Sequence, residues 1–156
     1  MSIEVKDDSV LLRLQTKIDN ISDNEQVMTE CHNIMASYME PYVPMKTGIL
    51  SHSAIVTSQY VRYGGASAPY AHYMFEGIVY GPNIPIYENG IITGWFSPPR
   101  QKKHPTGAML SYSGVSYSGE GHPLATHHWH RAMINDKAEA FTADIKKVIT
   151  EALNNG

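Results

Sequence analysis

The residue types best suited to chemistry gather in one run, His122-Pro-Leu-Ala-Thr-His127-His128-Trp-His130, which holds four of the chain's eight histidines. Imidazoles at such short spacing are ordinary zinc ligands, and a catalytic zinc takes three protein groups and a water. On a continuous helix His127 and His130 would share a face while His128 pointed elsewhere, and no carboxylate or second histidine stands at the complementary spacing. The pair is therefore half a site, and no bound metal is expected. His72 and Glu76, at i and i+4, could pair in the same way, and a surface hydrogen bond is the commoner use of that spacing. No His-Glu-x-x-His, Cys-x-x-Cys, Gly-x-Ser-x-Gly or glycine-rich phosphate loop occurs. The reading is of a protein that is not an enzyme and needs no cofactor; a small metal-dependent enzyme built on the histidines is the alternative of another class. Arg100, Lys102 and Lys103, after Pro98-Pro99, form the one basic cluster, suited to DNA phosphates or to a partner's acidic rim.

Composition points toward association. Charged residues make up 17% of the 156, against a typical ~25%, while tyrosines number ten. Tyrosine offers an apolar ring with a polar tip, which suits interfaces. The net charge of −3 argues neither for nucleic acid nor for membrane. Its distribution is uneven: residues 1–45 hold three Lys/Arg against eight Asp/Glu, and residues 46–121 hold five against three. Opposite ends of that kind can meet head to tail between subunits, the arrangement that closes rings. The single cysteine, Cys31, excludes a disulfide framework and sits on an apolar helical face as a packed small side chain. No secretory leader and no apolar run of membrane-spanning length occurs, so a cytosolic site of synthesis is expected.

These residues must be positioned by a single domain of α+β class, residues 1–156. Ser2 to Lys6 reads as an edge strand and Asp7-Asp8-Ser9 as the start of a short helix. Ser22-Asp23-Asn24-Glu25 has the form of a capping box, and Val27, Met28, Cys31, Ile34, Met35, Tyr38 and Met39 follow at helical spacing. Pro44 ends that helix, Thr47-Gly48 turns the chain, and Ile49 to Tyr63 reads as one long strand stopped by Gly64-Gly65. Pro69 opens a short helix that Gly77 closes in the left-handed conformation. Residues 77–121 hold eight of the twelve glycines and five of the nine prolines, and read as an arm or extended hairpin over 78–121. Within it Ile84–Tyr87 and Ile91–Phe96 flank the hairpin signal Asn89-Gly90, and Met109–Tyr117 is a further strand candidate. A last helix runs from about Thr126 to Leu153. The expected architecture is a mainly antiparallel sheet with the terminal helices packed on one face.

A small polar or basic residue followed by Thr-Gly-x-Leu, then a long strand, then Pro-Tyr-Ala-x-Tyr with Glu or Tyr before glycine shortly after, resembles the minor capsid and tail-completion proteins of tailed bacteriophages. The residues that carry it are Thr47, Gly48, Leu50, Pro69, Tyr70, Ala71, Tyr73, Glu76 and Gly77, with Trp129 opening the last helix. The resemblance spans about 90 residues on about ten positions, which carry weight through their order and spacing. It implies a structural virion protein forming a ring, of six copies, at the head-tail junction. Its partners would be further copies of itself, head-closure or adaptor proteins and tail tube or terminator proteins, with packaged DNA in the lumen and no membrane. A minor capsid component or a tail terminator is the related alternative.

Overall fold

A computed structural model describes residues 8–45, 47–112 and 122–155. The class is α+β, but in place of the single sheet expected the strands among the described residues pair as three separate two-stranded antiparallel sheets, and the described residues fall into two compact units. A helical unit comprises Met1–Glu40, Ala54–Arg62 and Met133–Gly156, and a loop-rich unit comprises Pro41–Ser53 and Tyr63–Ala132. The strand expected at Ser2 to Lys6 lies outside the described residues.

In the helical unit, α1 spans Asp8–Ser22 and α2 spans Glu25–Met39. Helix α1 runs on through Ser22, longer than expected, because the Asp19 carbonyl accepts both the Ser22 hydroxyl and the Asp23 N–H at 2.9 Å. Ser22 is thus used up as the end of one helix and cannot cap the next. The cap of α2 falls instead on Asn24, whose side-chain oxygen accepts from the N–H groups of Gln26 at 3.1 Å and Val27 at 3.2 Å. The expected apolar stripe of α2 is half-buried to buried along its length. Helix α2 gives way at Glu40–Tyr42 to a 3-10 turn, earlier than Pro44, since Pro41 has no N–H to continue the ladder.

The single long strand over Ile49 to Tyr63 does not form. In its place stand a 3-10 turn at Ser51–Ser53 and two short antiparallel strands, β1 (Ile55–Val56) and β2 (Val61–Arg62). Side-chain hydroxyls are the cause. Ser51 Oγ donates to Gly48 O at 3.1 Å and Ser53 Oγ to Leu50 O at 2.7 Å, which bends the backbone into the turn. Thr57 Oγ1 then accepts from the N–H groups of Gln59 and Tyr60, turning the chain between β1 and β2. His32 of α2 donates from Nδ1 to Thr57 O at 2.8 Å and ties this hairpin to the helix.

In the loop-rich unit a short helix, α3 (Ala71–Glu76), leads into β3 (Ile78–Gly81), which pairs antiparallel with β6 (His104–Met109). Between them β4 (Ile84–Glu88) and β5 (Ile91–Phe96) form a hairpin at the expected place. Its turn has positive φ at Asn89 (51°) and Gly90 (80°), the twist a two-residue connection requires. One register slip, Ile86↔Gly94 followed by Tyr87↔Ile92, leaves Thr93 as a bulge. A strand not expected from the sequence, β6, forms at His104–Met109; of the strand expected at Met109–Tyr117, residues 110–112 are not strand and residues 113–117 lie outside the described residues. Pro105 and Gly107 hide β6 from a propensity reading; the ladder tolerates them because residues 106–108 bulge out opposite Val79, with Thr106 Oγ1 donating to Val79 O at 2.8 Å. Among the described residues, Tyr42, Val43, Leu50, Ala68, Ala71 and Trp129 are buried apolar side chains of this unit.

The last helix, α4, spans Trp129–Asn155. It starts three residues later than expected because His128 has φ of 45°, outside the right-handed region. Met133 and Val148 are buried, and Phe141, Ile145 and Ile149 half-buried, while Ile134 and Ala138 face solvent.

Candidate assembly site

Helix α3 and the histidine run are built into one cluster. Gly77, at φ 72°, ends α3 in the left-handed conformation, its N–H donating to Tyr73 O at 3.0 Å. That turn releases the chain into β3 and leaves room for His127, since a Cβ on Gly77 would lie 2.6 Å from His127 Cβ. The segment from His122 is held by backbone: His122 Nδ1 donates to Val43 O at 2.8 Å, Thr126 N–H to Tyr42 O at 3.0 Å and His128 N–H to Phe75 O at 2.9 Å. Phe75 is the hub. Its ring meets Trp129 edge to face at 4.8 Å and His128 at 5.0 Å, and stacks on His130 at 5.4 Å; Tyr63 meets Trp129 at 5.5 Å. Such contacts add about 0.5–1.5 kcal/mol each beyond the burial of their area.

The expected shared helical face of His127 and His130 does not form. Helix α4 begins at Trp129, so His127 precedes it and shares no helical face with His130. His127 lies along Tyr112, and among the described residues no group of three His, Cys, Asp or Glu side chains could hold one metal ion. Glu76 faces His128 at 4.0 Å rather than pairing with His72, whose ring lies 5.7 Å from that of Tyr73 and 6.5 Å from that of Tyr80. The histidines here work as flat, partly polar packing surfaces.

One of them makes stability depend on pH. Burial first, then the charges of Arg131 and His128, hold the His130 imidazole below its ordinary value of 6.5. Just below that pH the unfolded chain binds a proton that the folded chain refuses, so this contribution is full above pH 6.5 and is lost as pH falls below it. His130→Phe keeps a ring on Phe75 without the titration. Urea denaturation at about pH 7.5 and about pH 5.5 is expected to show a smaller loss on acidification in the variant than in the native chain. An equal loss in both would assign the acid sensitivity to other groups.

The hairpin β4–β5 presents a different chemistry. Cross-strand pairing sets Ile84 beside Phe96 on one face, and Tyr87 beside Ile92 on the other, which Trp95 shares through its pairing with Pro85. Every one of these large side chains is exposed, Trp95 at 62% and Tyr87 at 60%, as are Ile86 and Ile91. The ribbon is thus apolar on both faces, an uncommon exposure for side chains of this size. No family model, curated protein or solved structure matches this chain.

The residues that carry the phage resemblance all belong to the loop-rich unit. Gly48, at φ 77°, lies against His52; Leu50, Ala71 and Trp129 are buried; and Ala71 Cβ is 2.7 Å from where a Cβ on Gly64 would stand. Glu76 and Gly77 meet His128 and His127. Tyr73 is half-buried with its ring 4.7 Å from Tyr80, whereas Thr47, Pro69 and Tyr70 are exposed. Phe75, Tyr63 and Tyr112 were not singled out by spacing; Tyr112 OH donates to Met74 O, closing the C-terminal end of α3. Of the basic cluster, Arg100 and Lys102 are exposed, and Lys103 is half-buried with its Nζ donating to Pro82 O at 2.5 Å.

Proposed function

We propose that this chain is a structural subunit of a tailed-phage or phage-like particle that forms a ring at the head-tail junction and joins head-closure proteins to the tail. The observation that carries this reading is the β4–β5 hairpin, whose seven large apolar side chains are 46–69% exposed, in a chain of which only 17% is charged. A solitary protein gains nothing from such a ribbon, whereas a subunit covers it on assembly and recovers roughly 25 cal/mol per Å² of apolar area. The order of Thr47-Gly48, Leu50, Pro69-Tyr70-Ala71, Tyr73 and Glu76-Gly77 supports the phage setting. In that setting the aromatic and histidine cluster is a rigid base for the hairpin, and Arg100 and Lys102 are available to packaged DNA or an acidic neighbour. The work of the protein is assembly, in the host cytoplasm and then in the virion.

Immunogold electron microscopy of particles from the source culture, with antibody raised against this chain, tests the reading. Label confined to the head-tail junction is the expected result. Particles that carry no label there, even after mild disruption, would overturn the assignment.

A further inference from the structure

The segment from His122 to His128 is held in place by three hydrogen bonds and a set of rings. The bonds run from His122 Nδ1 to Val43 O, from Thr126 N–H to Tyr42 O and from His128 N–H to Phe75 O. The rings are three half-buried imidazoles: His127 and His128 lie 5.3 Å apart, His128 and His130 6.3 Å, and the last two pack on Phe75. Charged and titratable groups face them from each side. Helix α3 contributes Glu76, 4.0 Å from His128 Nε2 and, among the described residues, the one carboxylate within ion-pair distance of any of the three. Helix α4 contributes the Arg131 guanidinium, of the wrong sign to offset a proton, and the stretch after β6 contributes the Tyr112 phenol, which donates to Met74 O. One carboxylate offsets one proton; further imidazolium charges at these separations repel each other where water screens them poorly. His128 also holds φ at 45°, a conformation that an L side chain keeps only where its surroundings enforce it. Ring packing closes the backbone there, and the backbone gains by opening.

We propose that His127, His128 and His130 form an acid-sensitive latch, whose protonation frees residues 122–128 from α3 and from Tyr42 and Val43 while the helical unit stays folded. The latch does not rest on the assembly reading. Burial, then Arg131 and His128, already hold the His130 imidazole below its ordinary value of 6.5. The closed form therefore refuses a proton that the open form binds, so closure is favoured above about pH 6.5 and loses that advantage as pH falls below it. His122 is tied to the latch without being part of the sensor, since its Nδ1 donates to a carbonyl whether or not the other ring nitrogen is protonated. Helices α1 and α2 are packed from a different set of residues, which makes the opening local.

Amide hydrogen exchange on the full-length chain, corrected for the intrinsic pH dependence of exchange, reads the opening at Thr126 and His128, whose N–H groups are bonded to backbone oxygens. Amides of α2 report global unfolding. A single imidazole could raise the opening constant by at most about tenfold per pH unit, and the latch is expected to exceed that between about pH 6.5 and about pH 5.5. Through that range the α2 amides should stay at least about tenfold better protected than Thr126 and His128. Glu76→Gln removes the offsetting carboxylate, and should raise the opening constant more at about pH 5.5 than at about pH 7.5, because the carboxylate offsets charge only on a protonated ring. Combining His127→Gln, His130→Phe and His128→Asn, the last tolerant of positive φ, should bring the rise to tenfold or less. A rise of tenfold or less in the native chain, opening constants at Thr126 and His128 equal to those of α2, or an effect of Glu76→Gln that is the same at both pH values would each overturn the proposal.

Discussion

Gly77→Ala is expected to destabilise the loop-rich unit by about 3–4 kcal/mol, shifting its thermal midpoint down by roughly 6–15 °C. Two costs combine. The position has φ of 72°, which an L side chain adopts at about 1–2 kcal/mol, and the new Cβ would stand 2.6 Å from His127 Cβ and 2.9 Å from its Cγ. His127 cannot simply swing aside, because the obstructing atom is its Cβ and the following residue donates from its backbone N–H to Phe75 O. Gly90→Ala is the control: φ there is 80°, yet nothing lies within 4 Å of the added carbon. Chemical denaturation should show Gly90→Ala costing only the backbone term, about 1–2 kcal/mol. Equal losses in the two variants would mean that the contact of α3 with the histidine run contributes nothing.

Trp129→Ala should cost about 3–5 kcal/mol, the range for deleting a large buried aromatic. Trp129 is 4% exposed and joins Phe75 on one side to Tyr63 on the other, so its removal leaves two rings without their partner as well as a cavity. Because the chain has two tryptophans, the measurement reports directly on the site. Trp95, at 62% exposure, should emit at long wavelength and Trp129 at short wavelength, so the variant loses the blue-shifted component while the remaining emission is insensitive to unfolding. Circular dichroism in urea then gives the stability. A variant as stable as the native chain would show that Phe75 and Tyr63 repack, and that the cluster is not the rigid base the assembly reading requires.

Local signals in the chain are strong where one residue type has one conformational use. Asn89-Gly90 between two β-branched runs located the hairpin, since only a turn with positive φ at both residues joins strands so closely. Gly77, after the short segment opened by Pro69, located the end of α3 for the same reason. The stripe from Val27 to Met39 located α2 to within two residues of its start. The long strand from Ile49 was misread because Ser51, Ser53 and Thr57 have β-compatible side chains whose hydroxyls prefer nearby backbone groups, a competition that propensity does not weigh. The capping box failed for a related reason: Ser22 had two available roles, and the end of α1 took it before the start of α2 could.

What the sequence by itself determined is the α+β class, the periodic helices and the turn chemistry, each written within a window of a few residues. Few charges and many tyrosines are likewise read from the sequence alone, and they motivate the proposal of assembly. Only tertiary structure decided which partners those residues meet. Glu76 met His128 instead of His72, Phe75 gathered Trp129 and two histidines, and β6 found β3 despite Pro105 and Gly107. Those pairings depend on where segments separated by 23 to 55 residues return in space, and spacing along the chain carries no information about that return. The exposure of Trp95 and Tyr87 was equally invisible in sequence, because an apolar alternating strand reads the same whether a core covers it or water does.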